Sequence, residues 1–178
     1  MDICIKIIAQ SKYDKALKLV LSVFRRYVAP DYQDEGVRTF IRSVIENDEY
    51  MVGLTVYGAY KDGELAGVLA TKNNGAHIAL FFVDGMQQRQ GIGRALFLRA
   101  LKDNQTGVVT VNSSPYAVEV YRCLGFKDTD TEQVTDGIRY TPMKYTCPCR
   151  RDVCRRRGDC AACRKYHKGR GTPPVCER

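Results

Sequence analysis

The sequence predicts an α/β domain with a mixed, largely antiparallel central sheet flanked by helices, followed by a short metal-stabilised tail. Three observations carry this. Segments with a period of two and segments with a helical period follow one another in the order β-α-α-β-β-β-α-β-α-β-β. Hairpin signals, Asp62-Gly63 first among them, join neighbouring strands. Composition then breaks near residue 145. Residues 1–145 hold 18 Lys/Arg against 17 Asp/Glu, whereas residues 146–178 hold 10 against 3, with six of the eight cysteines.

Taken in order, "ICIKII" (3–8) is a first strand. "SKYDKALKLVLSVFRRYV" follows, with Ser11 and Asp14 in capping-box positions and Leu17, Val20, Leu21, Phe24 and Val28 on one helical face, until Pro30 stops it. A second amphipathic helix fits Glu35 to Asn47, with Val37, Phe40, Ile41, Val44 and Ile45 inward. "LTVYGAYKDGELAGVLATK" is a hairpin with a type I′ turn at Asp62-Gly63; Asn73-Asn74-Gly75 turns again into the strand 76–83. A helix continues from Ile92 to about Lys102, a strand covers 107–112, and a short helix from Ala117 to Leu124 ends on Gly125 as C-cap. "FKDTDTEQVTDGIRYTPMKY" is a final hairpin.

The bulk numbers agree with one ordinary domain plus an appendage. The 178 residues are 44% hydrophobic and 27% charged, with a net charge of +8. No run approaches the roughly 18 apolar residues of a spanning helix. "MDICIKIIAQ" lacks the pattern of a secretory signal. The expectation is a cytoplasmic protein with no membrane partner.

Chemistry enters with "FFVDGMQQRQGIGRAL" (81–96), a strand that runs through Gly91 and Gly93 into a helix. A helix start exposes unpaired N–H groups and a partial positive charge, and glycine lets a backbone approach an anion closely. The spacing is neither the dinucleotide fingerprint nor a P-loop. "VDGMQQRQGIGRAL" resembles the acyl-CoA loop of the GNAT superfamily of acetyl-CoA-dependent N-acyltransferases, a Gln/Arg-x-x-Gly-x-Gly/Ala pattern carried here by Gln88, Gly91 and Gly93. "VNSSPYAVEVYRCLGF" is similar to the family's second signature through Asn112, Tyr121, Gly125 and Phe126. The resemblance spans roughly residues 1–145.

What the resemblance implies is an acetyltransferase in which an amine attacks acetyl-CoA directly. The backbone from Arg89 through Gln90, Gly91, Ile92 and Gly93 to Arg94 would cradle the CoA diphosphate, with Gln88 beside it. Phe81, Phe82 and Val83 lie where the family's strand splays and pairs with pantetheine. Asn112 is the further cofactor-positioning candidate, and Tyr121 matches the tyrosine that protonates the departing thiolate. For the general base, counting back from Gly91 to the position where some members carry glutamate reaches His77. Glu35, Tyr32 and ordered water are the alternatives.

In the tail, Cys147, Cys149, Cys154, Cys160, Cys163, His167 and Cys176 are spaced C-x-C-x4-C-x5-C-x2-C-x3-H-x8-C. This density of soft ligands without a secretion signal favours structural zinc over disulfides or redox thiols. So short a segment would draw its folding stability from the metal. The tail's arginines either offset thiolate charge or contact nucleic acid. The main expectation is therefore an N-acetyltransferase using acetyl-CoA and zinc on a small-molecule or peptide amine, with a homodimer left open. The alternatives are a metal-dependent nucleic-acid or protein-binding module with a CoA-sensing, non-catalytic domain, and a redox sensor built on the tail.

Overall fold

The structure, a computed structural model, describes residues 3–104, 106–146 and 160–174. The chain enters through β1 (Ile3–Ile7), passes through α1 (Tyr13–Val23) and α2 (Asp34–Phe40), and returns as β2 (Thr55–Lys61), β3 (Glu64–Lys72) and β4 (His77–Val83). Then come α3 (Ile92–Asp103), β5 (Val108–Ser113), α4 (Val118–Cys123), β6 (Lys127–Asp128), β7 (Gln133–Thr135) and β8 (Ile138–Thr146). In the tail, α5 spans Cys160–Lys168. The eight strands form a sheet in the order β1-β2-β3-β4-β5-β8-β6, with β7 on β8. Every described pairing is antiparallel except β4 with β5.

Helices cover both faces because the strands are apolar on both. On one face α3 contributes Ile92, Leu96, Phe97 and Leu101 to a cluster with Tyr121, Phe126 and Tyr145. On the other, Ala16 and Val20 of α1 pack with Val56, Val68, Ala70 and Leu80. Each fully buried Val or Leu contributes about 1.5–3 kcal/mol. A bulge places β4 in both cores. Ala70 pairs with Leu80 and Thr71 with Ile78, so Ala79 is an extra residue on β4. Strict alternation would put Ile78 and Leu80 on the same face; with the bulge, Ile78 and Phe81 join the α3 side while Leu80 and Phe82 join the α1 side.

The turns follow their residue chemistry. Asp62 and Gly63 both have positive φ, as do Asp136 and Gly137, which gives the two type I′ hairpins. After α4, Phe126 N–H bonds to Tyr121 C=O at 3.0 Å and Gly125 N–H to Arg122 C=O at 2.9 Å, a Schellman closure. Asn104, 1% exposed, donates from Nδ2 to the carbonyls of Gly75 (2.8 Å) and Val108 (3.1 Å) and accepts from the Gly107 N–H (2.6 Å). It fastens the end of α3 to the turn before β4.

Two expectations need correction. No capping box forms at Ser11 and Asp14: a 3-10 turn over Gln10–Lys12 precedes α1, and N-cap Lys12 makes no side-chain cap bond. Neither early helix stays α-helical to its end. α1 passes into a π-type turn, Phe24–Val28, and α2 into another, Ile41–Ile45, where Glu46 N–H reaches Ile41 C=O at 2.9 Å.

Candidate active site

β4 and β5 pair only at His77↔Thr110 and Ile78↔Val111. β4 runs on to Val83 and β5 to Ser113 without further pairing across the gap, while β5 stays paired with β8. The gap opens into a cavity of about 610 Å³. Ala79, Phe81 and Val83 line its β4 side; Val111, Asn112 and Ser114 line the β5 side.

At one end of the cavity sits the start of α3. Gly91, its N-cap, has φ +82°, and Arg89 two residues earlier has φ +59°. These left-handed residues turn the chain so that the N–H groups of the first helical turn face outward from the helix end, where they have no intrahelical acceptor. A side chain on Gly91 would meet nothing within 4 Å, so its conformation is what requires glycine there. Gly93 differs: a Cβ there would lie 3.3 Å from Phe81 Cζ, so glycine lets the helix sit close on β4. Lys61 steadies the loop from β2, donating to Gln87 Oε1 at 2.9 Å and Gln90 Oε1 at 2.6 Å.

Gln88 spans the mouth of the gap. Its Nε2 donates to the Val83 carbonyl at 3.2 Å, and its Oε1 accepts from Tyr116 Oη at 3.1 Å. Tyr116 stands against Tyr27, ring centroids 5.3 Å apart. Deeper in, Tyr121 is 5% exposed and meets Phe81 edge-on at 5.8 Å. Burial pushes its phenol pKa above the ordinary tyrosine value, so it holds its proton well past neutral pH.

The structure thus brings Phe81, Phe82, Val83, Gln88, Arg89, Gly93, Asn112 and Tyr121 to one cavity. Gln90, Gly91, Ile92 and Arg94 do not line it. Gln90 is bound to Lys61, Ile92 is core at 1% exposure, and Arg94 is exposed. His77 lies at the start of β4, outside the lining, with Nδ1 2.8 Å from Thr110 Oγ1. Its pKa is lowered, by burial first and then by the charge of Lys72. Of the tail ligands, Cys147, Cys149, Cys154 and Cys176 lie outside the described residues. Cys163 and His167 are on α5, and no group of three metal-ligating residues occurs among the described ones.

Sequence reasoning missed Lys61, Tyr27 and Tyr116, and it assigned Phe24 and Phe40 to the core without a view of the cavity they also line. Only Pro115, which starts a short turn directly after β5, marks Tyr116 as a residue held at a strand end.

The profile of the acetyltransferase (GNAT) domain matches residues 28–147. The chain belongs to the GNAT acetyltransferase family. It is thereby an enzyme of the acyltransferase class. No curated protein matches its sequence. Solved GNAT structures share its fold. A GCN5-related N-acetyltransferase from Rhodopseudomonas palustris superposes with a TM-score of 0.68 at 15% identity, over 82% of this chain and 96% of that one. The PaiA N-acetyltransferase from Thermoplasma acidophilum, in complex with coenzyme A, gives 0.66 at 20% identity over 82% and 99%. The ribosomal-protein-S18-alanine N-acetyltransferase from Escherichia coli gives 0.55 at 19% identity over 86% and 99%. Among the described residues, no helix is long and apolar enough to cross a membrane.

Proposed function

We propose that this GNAT protein transfers the acetyl group of acetyl-CoA to a primary amine, on a small molecule or a peptide, by direct attack. One observation carries the reading: the two-pair contact between β4 and β5 leaves a cavity that joins the amide-rich start of α3 to Tyr121. When bound, acetyl-CoA supplies an activated thioester. The backbone N–H groups from Arg89 to Arg94 hold the diphosphate at the positive end of α3, and the exposed Arg89 and Arg94 add charge. The backbone of Phe81–Val83, unpaired with β5, offers polar groups to the pantetheine arm as a partner strand would, the Val83 carbonyl being shared with Gln88 Nε2. Asn112 positions the arm from the opposite wall. Tyr121, protonated at neutral pH, gives its proton to the departing sulfur.

The incoming ammonium loses its proton to water. Tyr32 lines the cavity, but its pKa is pushed up to about 12, by burial first and then by Asp31, against the opposing charge of Arg139. It is a proton donor at pH 7, not a base. His77 is neutral there but outside the lining. Turnover at subsaturating amine should therefore rise with pH through the amine's own pKa, and His77→Gln should give a superimposable profile. A basic limb lost in His77→Gln would assign the proton to His77 instead. The reading as a whole is tested by calorimetry with coenzyme A and by thiol release across an amine panel. Absence of coenzyme A binding overturns it.

The same reading gives the tail a structural zinc. Cys160, Cys163 and His167 are spaced three and four residues apart in α5, close to successive helical turns. His167 Nδ1 lies 3.1 Å from Thr172 Oγ1, an arrangement that orients the ring and leaves Nε2 for a metal.

A further inference from the structure

The cavity has a second wing that the cofactor assignment leaves over. It lies between the π-type turns that end the first two helical segments, and Phe82 forms its floor. Its wall is a run of four rings. Phe24 stacks on Phe40 with centroids 3.9 Å apart and planes 13° apart, Tyr32 meets Phe24 edge-on at 6.0 Å, and Phe40 meets Phe82 at 6.2 Å. Val28, Val44 and Ile138 fill the spaces between them.

Among the described residues, the lining of this wing carries no charged side chain; Asp31 and Arg139 act on Tyr32 from outside it. The chain has 20 Asp and Glu residues, yet none lines the cavity among the described residues, and neither does any lysine. Among the described residues, the only charged one on the lining is Arg89, at the end by the start of α3. The hydroxyls at the wing are already engaged or weakly basic. Ser43 donates to the Thr39 carbonyl at 2.6 Å, and the Tyr32 phenol keeps its proton. A second ammonium on the acceptor, as in a polyamine or a basic peptide, would be buried without a counter-ion, which is strongly unfavourable. A single ammonium on a flat apolar body meets ring faces that attract a cation and apolar surface that the body can cover.

We infer that the acceptor is a monoamine in which a short alkyl link joins the amino group to an uncharged, apolar ring. This rests on the acetyl-transfer reading above. The ring lies against Phe40 and Phe82, with the buried Phe24 stacked behind Phe40, and the link carries the nitrogen towards Tyr121. After one proton has left to water, the nitrogen lone pair forms the C–N bond to the acetyl carbon. The C–S bond then breaks, the sulfur takes the electron pair and a proton from Tyr121, and the second nitrogen proton returns to the phenol through solvent. The amide, free thiol and one released proton balance the reaction.

The test uses the full chain with acetyl-CoA and three probe amines: 2-phenylethylamine, spermidine and Nα-acetyl-lysine amide. Thiol release should give 2-phenylethylamine a kcat/KM at least about tenfold above the other two. Ser43→Asp, a change at an exposed position on the wing, introduces a carboxylate and should shift the ratio towards spermidine by about tenfold. Coenzyme A binding alone is measured first by calorimetry; its absence defeats the acetyl-transfer reading. If coenzyme A binds but spermidine or the lysine amide is the better acceptor, or 2-phenylethylamine is not turned over, the acceptor assignment is wrong while the cofactor site stands. A preference for hexanoyl-CoA over acetyl-CoA without ring selectivity also overturns it, because the wing would then hold an acyl chain.

Discussion

Tyr121 owes its proton to the same burial that places it against Phe81. Removing the hydroxyl while keeping the ring should therefore separate chemistry from packing. Tyr121→Phe is expected to lower kcat by about 10²-fold or more, with coenzyme A affinity unchanged in calorimetry. Equal losses in both would make Tyr121 a packing residue only. The sign of the pKa shifts gives a second test. Tyr57, held by burial and by its 2.8 Å bond to Asp103, and Tyr121 both have folded pKa values above that of a free phenol. A raised value favours the protonated fold, so this stability is complete below about pH 10 and is lost as pH climbs beyond it. Alkaline denaturation monitored by tyrosinate absorbance should show ionisation and unfolding together. That Gln88 and Tyr121 line the cavity was foreshadowed in the sequence because a spaced pattern surrounds them. Lys61 and Tyr116 were not, since each reaches the loop from a distant strand or turn that no local pattern connects to it.

The second helix and the last hairpin are held together beside the second wing of the cavity by close backbone packing. A Cβ on Gly36 of α2 would lie 2.0 Å from the Gly137 carbonyl oxygen, at the tip of the β7–β8 hairpin. Arg139 of that hairpin also donates to the Asp31 carbonyl at 3.0 Å and pairs with Glu132 at 2.8 Å. Gly36→Ala must push the hairpin off α2. A loss of about 2 kcal/mol or more in urea denaturation is expected, with KM for the amine rising more than KM for acetyl-CoA because Ile138 lines the wing. An unchanged amine KM would detach the hairpin from acceptor binding. Sequence periodicity found the long elements, and the Asp62-Gly63 and Asn73-Asn74-Gly75 turns were legible because such pairs advertise a positive-φ backbone directly, whereas positive φ at Gly53, Arg89 and Gly107 carried no such signal. It could not find the π-type turns at Phe24–Val28 and Ile41–Ile45, whose apolar spacing still fits an ordinary helix. Nor could it find the Ala79 bulge, which depends on register with β3. The two π-type turns border the wing of the cavity, and the bulge puts Ile78 and Leu80 on opposite faces of the sheet.

Across the whole molecule, charge and function are separated. The catalytic cavity opens between strands in the near-neutral part of the chain, whereas the excess cations belong to residues 146–178. α5 packs on α3, where Lys102 faces Lys165 and Lys168 across a cleft of about 490 Å³ that shares no residue with the cavity. Gathering like charges on a short segment opposes its folding, and a segment this small buries too little apolar surface to overcome that. Thiolates bound to zinc would cancel part of the charge and supply the missing stability. Native mass spectrometry should therefore find about one or two zinc ions per chain, lost on chelation. Far-UV circular dichroism should lose the α5 contribution at the same step, while thiol release from acetyl-CoA with a good amine stays within about twofold, since the α3 start and Tyr121 lie outside the tail. A mass short of the reduced value by the hydrogens of paired thiols would replace zinc with disulfides. Loss of transfer together with the metal would instead make the tail part of the catalytic unit, with α3 as the element through which it acts.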